Sequence, residues 1–193
     1  MPLLTRADLS RQSRLAWLCL LGLVGMAAWF WGRDKGSASI GTLLSALGCL
    51  GLMLPPRERM PVLPRRVRAL PRWLDVAAPL GALIVSPGYG LGWFYGINPF
   101  DEVVHFTNGA LLGAVFAALL QADGQARPAA GMAWRGAAFG LVLGIAWEGF
   151  EAATGLIGDF TDTWTDIVLG AVGAALAGWA AGTRGLPAPR TAE

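Results

Sequence analysis

Three short stretches concentrate the residues able to do chemistry, including the chain's only histidine. The first runs Asn98-Pro-Phe-Asp101-Glu102-Val-Val-His105-Phe-Thr-Asn108-Gly109. The second is Trp147-Glu148-Gly-Phe-Glu151. The third is Gly158-Asp159-Phe-Thr-Asp162-Thr163-Trp-Thr-Asp166. Carboxylates and imidazole are ligands for divalent cations such as zinc, manganese or iron. Clustered carboxylates also suit acid–base work or proton relay. No His-Glu-x-x-His, Ser-His-Asp order, phosphate loop or dinucleotide fingerprint accompanies them, so the residue types alone carry the chemical signal.

Their spacing is helical. Asp101 and His105 stand four apart and share a face, and Asn108, Gly109 and Gly113 continue it. Glu148 lies four past Gly144 on a ladder with Gly140, and Glu151 is one turn on. Asp162 and Asp166 are four apart, with Gly170 next in line. Stripes of small residues mark close helix contacts in membranes. The expectation is therefore one inward-facing site of Asp101, His105, Glu148, Asp162 and Asp166, joined by Glu151. Asn108, Asp159 and Thr163 support it, and Gly109, Gly113, Gly140, Gly144 and Gly170 form the packing seams. Blander readings stand beside this one. Asp101 and Asp162 equally suit helix N-caps, His105 suits a satisfied core position, Glu102 suits water and Asp159 a turn. Caps do not explain Glu148, which lies too far along its segment.

The elements that must hold these residues are set by composition. The chain has 193 residues, 54% hydrophobic and 15% charged, against about 25% charged in a soluble domain. Mean hydropathy is +0.50. Bilayer spans need roughly 17–25 apolar residues, and backbone in lipid must bond within itself. Six segments qualify as helices: Leu15–Trp31, Ser37–Leu54, Trp73–Tyr95, Asp101–Leu120, Gly136–Ala153 and Asp166–Gly182. The third contains Pro79 and Pro87 and is open to being kinked, broken or re-entrant. The fold class is all-α, a polytopic membrane protein of about six spans. Its first span is retained rather than cleaved, because it ends in Trp29-Phe30-Trp31 with no clean small-x-small site. Cys19 and Cys49 lie in apolar runs as small buried side chains. No basic stripe interleaved with aromatics appears, which argues against nucleic acid as a partner.

Thirteen of the fifteen Lys and Arg fall before the first span, between the second and third, between the fourth and fifth, or after the sixth. Only Arg33 and Lys35 lie on the other side. The positive-inside rule then places both termini in the cytoplasm. The organisation is a tail over 1–14, two spans over 15–54, an Arg-rich cytoplasmic loop over 55–72, a four-span region over 73–182 carrying the polar site, and a tail over 183–193. The loop carries six arginines that either serve only as the topogenic signal or also touch anionic headgroups. Entering at Arg135, the fifth span reaches Glu148 after 13 residues, roughly 20 Å at 1.5 Å per residue. All three clusters therefore converge on the outer third of the membrane.

At these clusters the sequence resembles the YjdF-like bacterial inner-membrane family, in Asn-Pro-Phe-Asp-x-x-x-His-Phe, then Trp-Glu-x-x-Glu, then Gly-Asp-x-x-Asp-Thr-x-x-Asp. More distantly it resembles the VanZ-like family, which pairs Asp-x-x-x-His with a later Glu-x-x-Gln and Asp-x-x-x-Asp. Glu151 stands where the VanZ-like Gln would be, and Gly170 where such families tend to have Asn. VanZ-like proteins are associated with resistance to the glycopeptide teicoplanin, so the resemblance implies cell-envelope work at the bacterial inner membrane. The site would bind a divalent metal and act on an envelope lipid or lipid-linked precursor, with membrane lipid as the surrounding partner. The alternatives are a proton- or cation-coupled transporter and a structural protein with a polar packing core.

The charge asymmetry yields a topology test. Alkaline phosphatase fused within the loop 96–100 should be active, and a fluorescent reporter at the C-terminus should fold in the cytoplasm. Fluorescence from a fusion in the loop 96–100 would invert the arrangement.

Overall fold

A computed structural model describes residues 5–95, 97–154 and 160–184. All regular elements among them are helical. Six helices are long and apolar enough to cross a bilayer, as the sequence requires. Their outward faces are apolar: Leu21 is 66% exposed and Leu52 71%. Such faces suit lipid rather than water. The chain divides into two compact units, one ending at Phe100 and the other beginning at Asp101.

The first unit opens with a single-turn-and-a-half helix, α1 (Arg6–Arg11), capped by Thr5. The spans α2 (Arg14–Trp31) and α3 (Gly36–Met53) follow, joined by a tight turn in which Asp34 adopts φ 58°. A connecting segment holds the one-turn α4 (Arg65–Arg68) and a 3-10 turn, Arg72–Val76, that leads into α5 (Ala77–Leu91). Ala16, Leu20, Cys49 and Met53 form its core, with Val76, Ala78 and Ala82 packed against them. Both cysteines are buried and unbridged. Two polar side chains bond to backbone within this unit: Ser39 donates to the Ala27 carbonyl at 2.7 Å, and Lys35 Nζ to the Gly90 carbonyl at 2.5 Å.

The third span is continuous through Pro87 and ends at Leu91, earlier than Tyr95. Gly92 stops it with φ 74°, a left-handed conformation that glycine takes without strain. Trp93–Tyr95 then forms a separate 3-10 turn. The glycines near this end make room for rings: a Cβ on Gly90 would fall 1.8 Å from Phe30, and one on Gly88 2.0 Å from Phe94.

The second unit holds α6, which starts at the preceding residue (Phe100–Gln121), α7 (Ala129–Thr154) and α8 (Phe160–Arg184). All three begin earlier than the sequence suggested, α6 by one residue and the other two by more than a turn. Arg135 looked like a loop charge, yet it lies inside α7 and bends back to bond the Gly131 carbonyl at 3.2 Å, as a long side chain near a helix end can. Asp166 does not open α8. It sits almost two turns in, and Asp162 occupies the first turn, where an acid offsets the helix dipole.

Small residues weld this unit together. A Cβ on Gly109 would lie 2.2 Å from the Gly170 carbonyl oxygen, and one on Gly173 2.1 Å from that of Phe106, so α6 and α8 touch backbone to backbone. Gly136 and Gly140 of α7 meet Ala174 of α8 in the same way, and Gly144 meets Ile167 with slightly more room.

Gly140→Leu should therefore lower stability in detergent by about 1–3 kcal/mol or more through overpacking. Gly144→Ala, whose new Cβ meets Ile167 Cα at 3.1 Å, should cost less. Leu143→Ala, at an exposed position, should stay within about 0.5 kcal/mol. Thermal melts of the three variants check the order. An unchanged melt for Gly140→Leu would mean that the ladder is not a packing seam.

Asp8 ties α1 down. Its carboxylate accepts from the Thr5 hydroxyl at 2.6 Å and the Thr5 amide at 2.8 Å, and pairs with Arg59 at 3.1 Å. The Thr5 hydroxyl above all, with the Thr5 amide, Arg59 and Arg72, holds Asp8 below the usual carboxylate range against the opposing effect of burial. A depressed carboxylate contributes its stabilisation above the unfolded pKa of about 3.9 and loses it as pH falls through the folded value. Amide-exchange protection of residues 5–12 should hold steady above that range and collapse below it. Thr5→Ala should move the collapse to higher pH.

Candidate functional site

The start of α6 explains the first ligands. Asn98 makes the turn: its side-chain oxygen accepts from the Phe100 amide at 3.0 Å, and its amide donates to the Trp93 carbonyl at 3.0 Å. Asn98 thus serves the helix entry, and Asp101 lies inside the first turn rather than capping it. One turn on, His105 Nε2 stands 3.3 Å from Asp101 Oδ1.

The seam between α6 and α8 brings in the third group. With Gly109 against Gly170, His105 Nε2 also lies 3.6 Å from Asp166 Oδ2. A single imidazole nitrogen thus faces two carboxylates. One ligand atom from each of Asp101, His105 and Asp166 lies within 4.8 Å of the others. The triad grades from partly open to closed: the Asp101 side chain is 23% exposed, that of His105 19% and that of Asp166 5%.

Glu148 comes from α7. Its neighbours Trp147, Phe150 and Ile145 are exposed, yet Glu148 is only 6% exposed. The helix turns its apolar residues outward and its carboxylate inward. Glu148 Oε1 is enclosed and has no hydrogen-bond partner. The carboxylate lies within electrostatic reach of His105, Asp166 and Glu151. Burying such a group without a partner costs several kcal/mol.

The remaining expected members fall outside the triad. Glu151 is half-buried and lies within electrostatic reach of Glu148 and His105. Asp162 is exposed, one turn before Asp166. Asn108 and Thr163 are half-buried on α6 and α8. Asp159 lies outside the described residues. Glu102 is exposed.

The donor set suits a metal ion. A tetrahedral centre with metal–ligand distances of about 2.0–2.2 Å has its ligands roughly 3.3–3.6 Å apart. The two distances from His105 Nε2 are 3.3 and 3.6 Å. The other charged side chains described in this unit include an Asp123–Arg127 pair at 2.6 Å, in the connection at the far end of α6.

No curated protein and no solved structure matches this chain. A family described as "Predicted membrane protein (DUF2238)" matches residues 14–185, from the first residue of α2 to just past the end of α8. YjdF-like is another naming of that family. With all six apolar helices inside the match, the chain belongs to the DUF2238 family of membrane proteins.

Proposed function

We propose that this is a multi-pass protein of the bacterial inner membrane, with both ends cytoplasmic, that binds a divalent metal ion in the outer third of the bilayer and uses it on an envelope lipid or lipid-linked precursor. Asp101, His105 and Asp166 are the ligands, and Glu148 is the inner carboxylate beside them. The observation that carries this is that one imidazole nitrogen stands 3.3 and 3.6 Å from two carboxylates, distances that suit edges of a metal's coordination shell, with one ligand atom of each residue within 4.8 Å of the others. The thirteen-to-two charge split supports the orientation. The segment 55–72 is then a cytoplasmic loop, and 73–182 the region that carries the site. The VanZ-like order of the three motifs supports an envelope substrate.

Charge supports the ion further. Asp101, Asp166 and Glu148 bring three carboxylates to a site whose only nearby cationic group among the described residues is His105, and a neutral His is what ligation needs. A divalent ion offsets most of that negative charge. When bound, such an ion polarises a phosphoryl or carbonyl oxygen. The protein's own groups do the rest. Asp101 is the most open member and faces the incoming substrate. His105 stands between the carboxylates of Asp101 and Asp166. Glu148, enclosed and one oxygen unbonded, is placed to take a proton or to complete the shell.

Elemental analysis of protein purified without chelator should find close to one transition metal per chain. His105→Ala and Asp166→Asn should abolish retention while membrane insertion is unchanged. Glu148→Gln should weaken it by about 10–100-fold, the range for groups that support metal ligands. Native mass spectrometry of the same sample reads any co-purified lipid. Metal-free protein that stays metal-free after reloading would end the metal assignment and leave proton relay or packing as the role of the carboxylates.

A further inference from the structure

Beneath the triad the three helices of the second unit close on one another. A Cβ on Gly113 of α6 would lie 2.5 Å from Ala174 Cα, and one on Gly136 of α7 2.3 Å from the Ala174 carbonyl oxygen. One on Gly140 would lie 2.8 Å from Ala171 Cα. Three backbones thus converge on Ala174, which is 1% exposed. The remaining seam, between α6 and α7, is filled by the rings of Phe116 and Phe139, stacked 4.3 Å apart and 5° from parallel. Closer to the far end, a Cβ on Gly178 would lie 2.4 Å from the Met132 carbonyl oxygen and one on Gly182 2.5 Å from Ala129 Cα. Contacts at this range leave no room for a water molecule, which needs a polar cavity of its own.

This floor is as dry as it is tight. From Gly109 to Leu120 on α6, Gly136 to Ala146 on α7 and Ile167 to Gly178 on α8, no residue has a polar side chain. Among the described residues of this unit, the buried polar side chains are Asp166 and Glu148 at the site and Gln121 at the far end. Gln121 donates there to the Ala181 carbonyl at 3.2 Å. Ala181 is fifteen residues past Asp166, roughly 22 Å along the helix at 1.5 Å per residue. An ion or a proton crossing that gap would meet no polar side chain, and charge in an apolar interior is costly. The opposite end is acidic. Asp101 and Glu151 are half-buried, Glu102 and Asp162 are exposed, and no Lys or Arg occurs in 97–110, 144–154 or 160–170. Concentrated negative charge draws cations and speeds their arrival.

We propose that the triad exchanges its divalent cation with one side of the membrane alone, the side that the N-terminus of α6 faces. In the orientation proposed above this is the outer side, so the ion comes from outside the cytoplasm. The acidic mouth gathers the cation, and the floor at Ala174 and the Phe116–Phe139 stack keeps it from passing on. The second unit is then a one-sided site and not a conduit. This inference rests on the metal reading of Asp101, His105 and Asp166 and adds the direction from which they are served.

The test loads metal-free, full-length protein with zinc in two settings. In detergent, reloading to close to one ion per chain checks the metal reading itself, and its failure there ends that reading and this inference together. The same metal-free protein is then sealed into liposomes, which are sorted by capture on a C-terminal tag into those with the tag outside and those with it inside. Zinc is added to the bulk solution, free ion is removed by gel filtration, and metal per chain is measured. Vesicles with the tag inside present the mouth to the zinc and should load close to one ion per chain. Vesicles with the tag outside present the floor and should load close to none. His105→Ala should abolish loading in both, which assigns the signal to the triad. Equal loading of the two populations would overturn the inference while leaving the metal reading intact. So would loading of neither population by protein that reloads in detergent.

Discussion

The closeness of α6 and α8 governs the second unit. In lipid no hydrophobic force drives helices together, because the tails are as apolar as leucine. Close approach has to come from van der Waals contact and from residues that do not hold backbones apart. Gly109 against Gly170, and Gly173 against the Phe106 carbonyl, remove the side chains that would do so. The consequence is felt four residues away. His105 is one turn before Gly109 on α6, and Asp166 one turn before Gly170 on α8. With the glycines in contact, a carboxylate on one helix falls 3.6 Å from the imidazole on the other. A methyl group at Gly109 or Gly173 would push apart the two helices that bring the triad together. Packing and chemistry in this unit are thus one arrangement seen at successive turns.

The two units treat charge in opposite ways. In the first, Asp8, Glu58 and Asp75 each meet an arginine, and the pairs knit α1, the connection and the start of the third span. In the second, Asp101, Asp166 and Glu148 gather around one histidine, and Glu148 keeps an unbonded oxygen at 6% exposure. Paired charges are a structural device. Unbalanced buried charges lower stability and persist where they serve a site.

Much of the fold could be read from the residue order because the bilayer imposes a length. Apolar runs near 18 residues had to be helices, and the six spans follow. Boundaries were harder to read. Arg135 was misread as loop because its charge outweighed its aliphatic stem, and α7 in fact begins at Ala129. The four-residue spacing of Asp101 and His105 was legible, as were the glycine stripes. Helical periodicity does not specify how far a side chain leans across a seam, so the line-up of Asp162 with Asp166 could not say that only Asp166 closes on the histidine. Nor could a charge count say that Arg57, Arg59 and Arg72 meet Asp75, Asp8 and Glu58, because that depends on which carboxylates the fold brings near, among them Asp8 from far along the chain.

Glu148 joins these strands. Its position on a glycine ladder shows that it points inward, and its surroundings show what that costs. Trp147, Phe150 and Ile145 on the same stretch are exposed, so rotating α7 by a fraction of a turn would give the carboxylate a way out and bury an aromatic ring in its place. Gly136 and Gly140 prevent that rotation. Both press their backbones onto α8, at Ala174 and Ala171. The seam therefore holds the carboxylate where solvation alone would not leave it, and the energy of helix packing is what keeps an incompletely bonded acid beside the histidine.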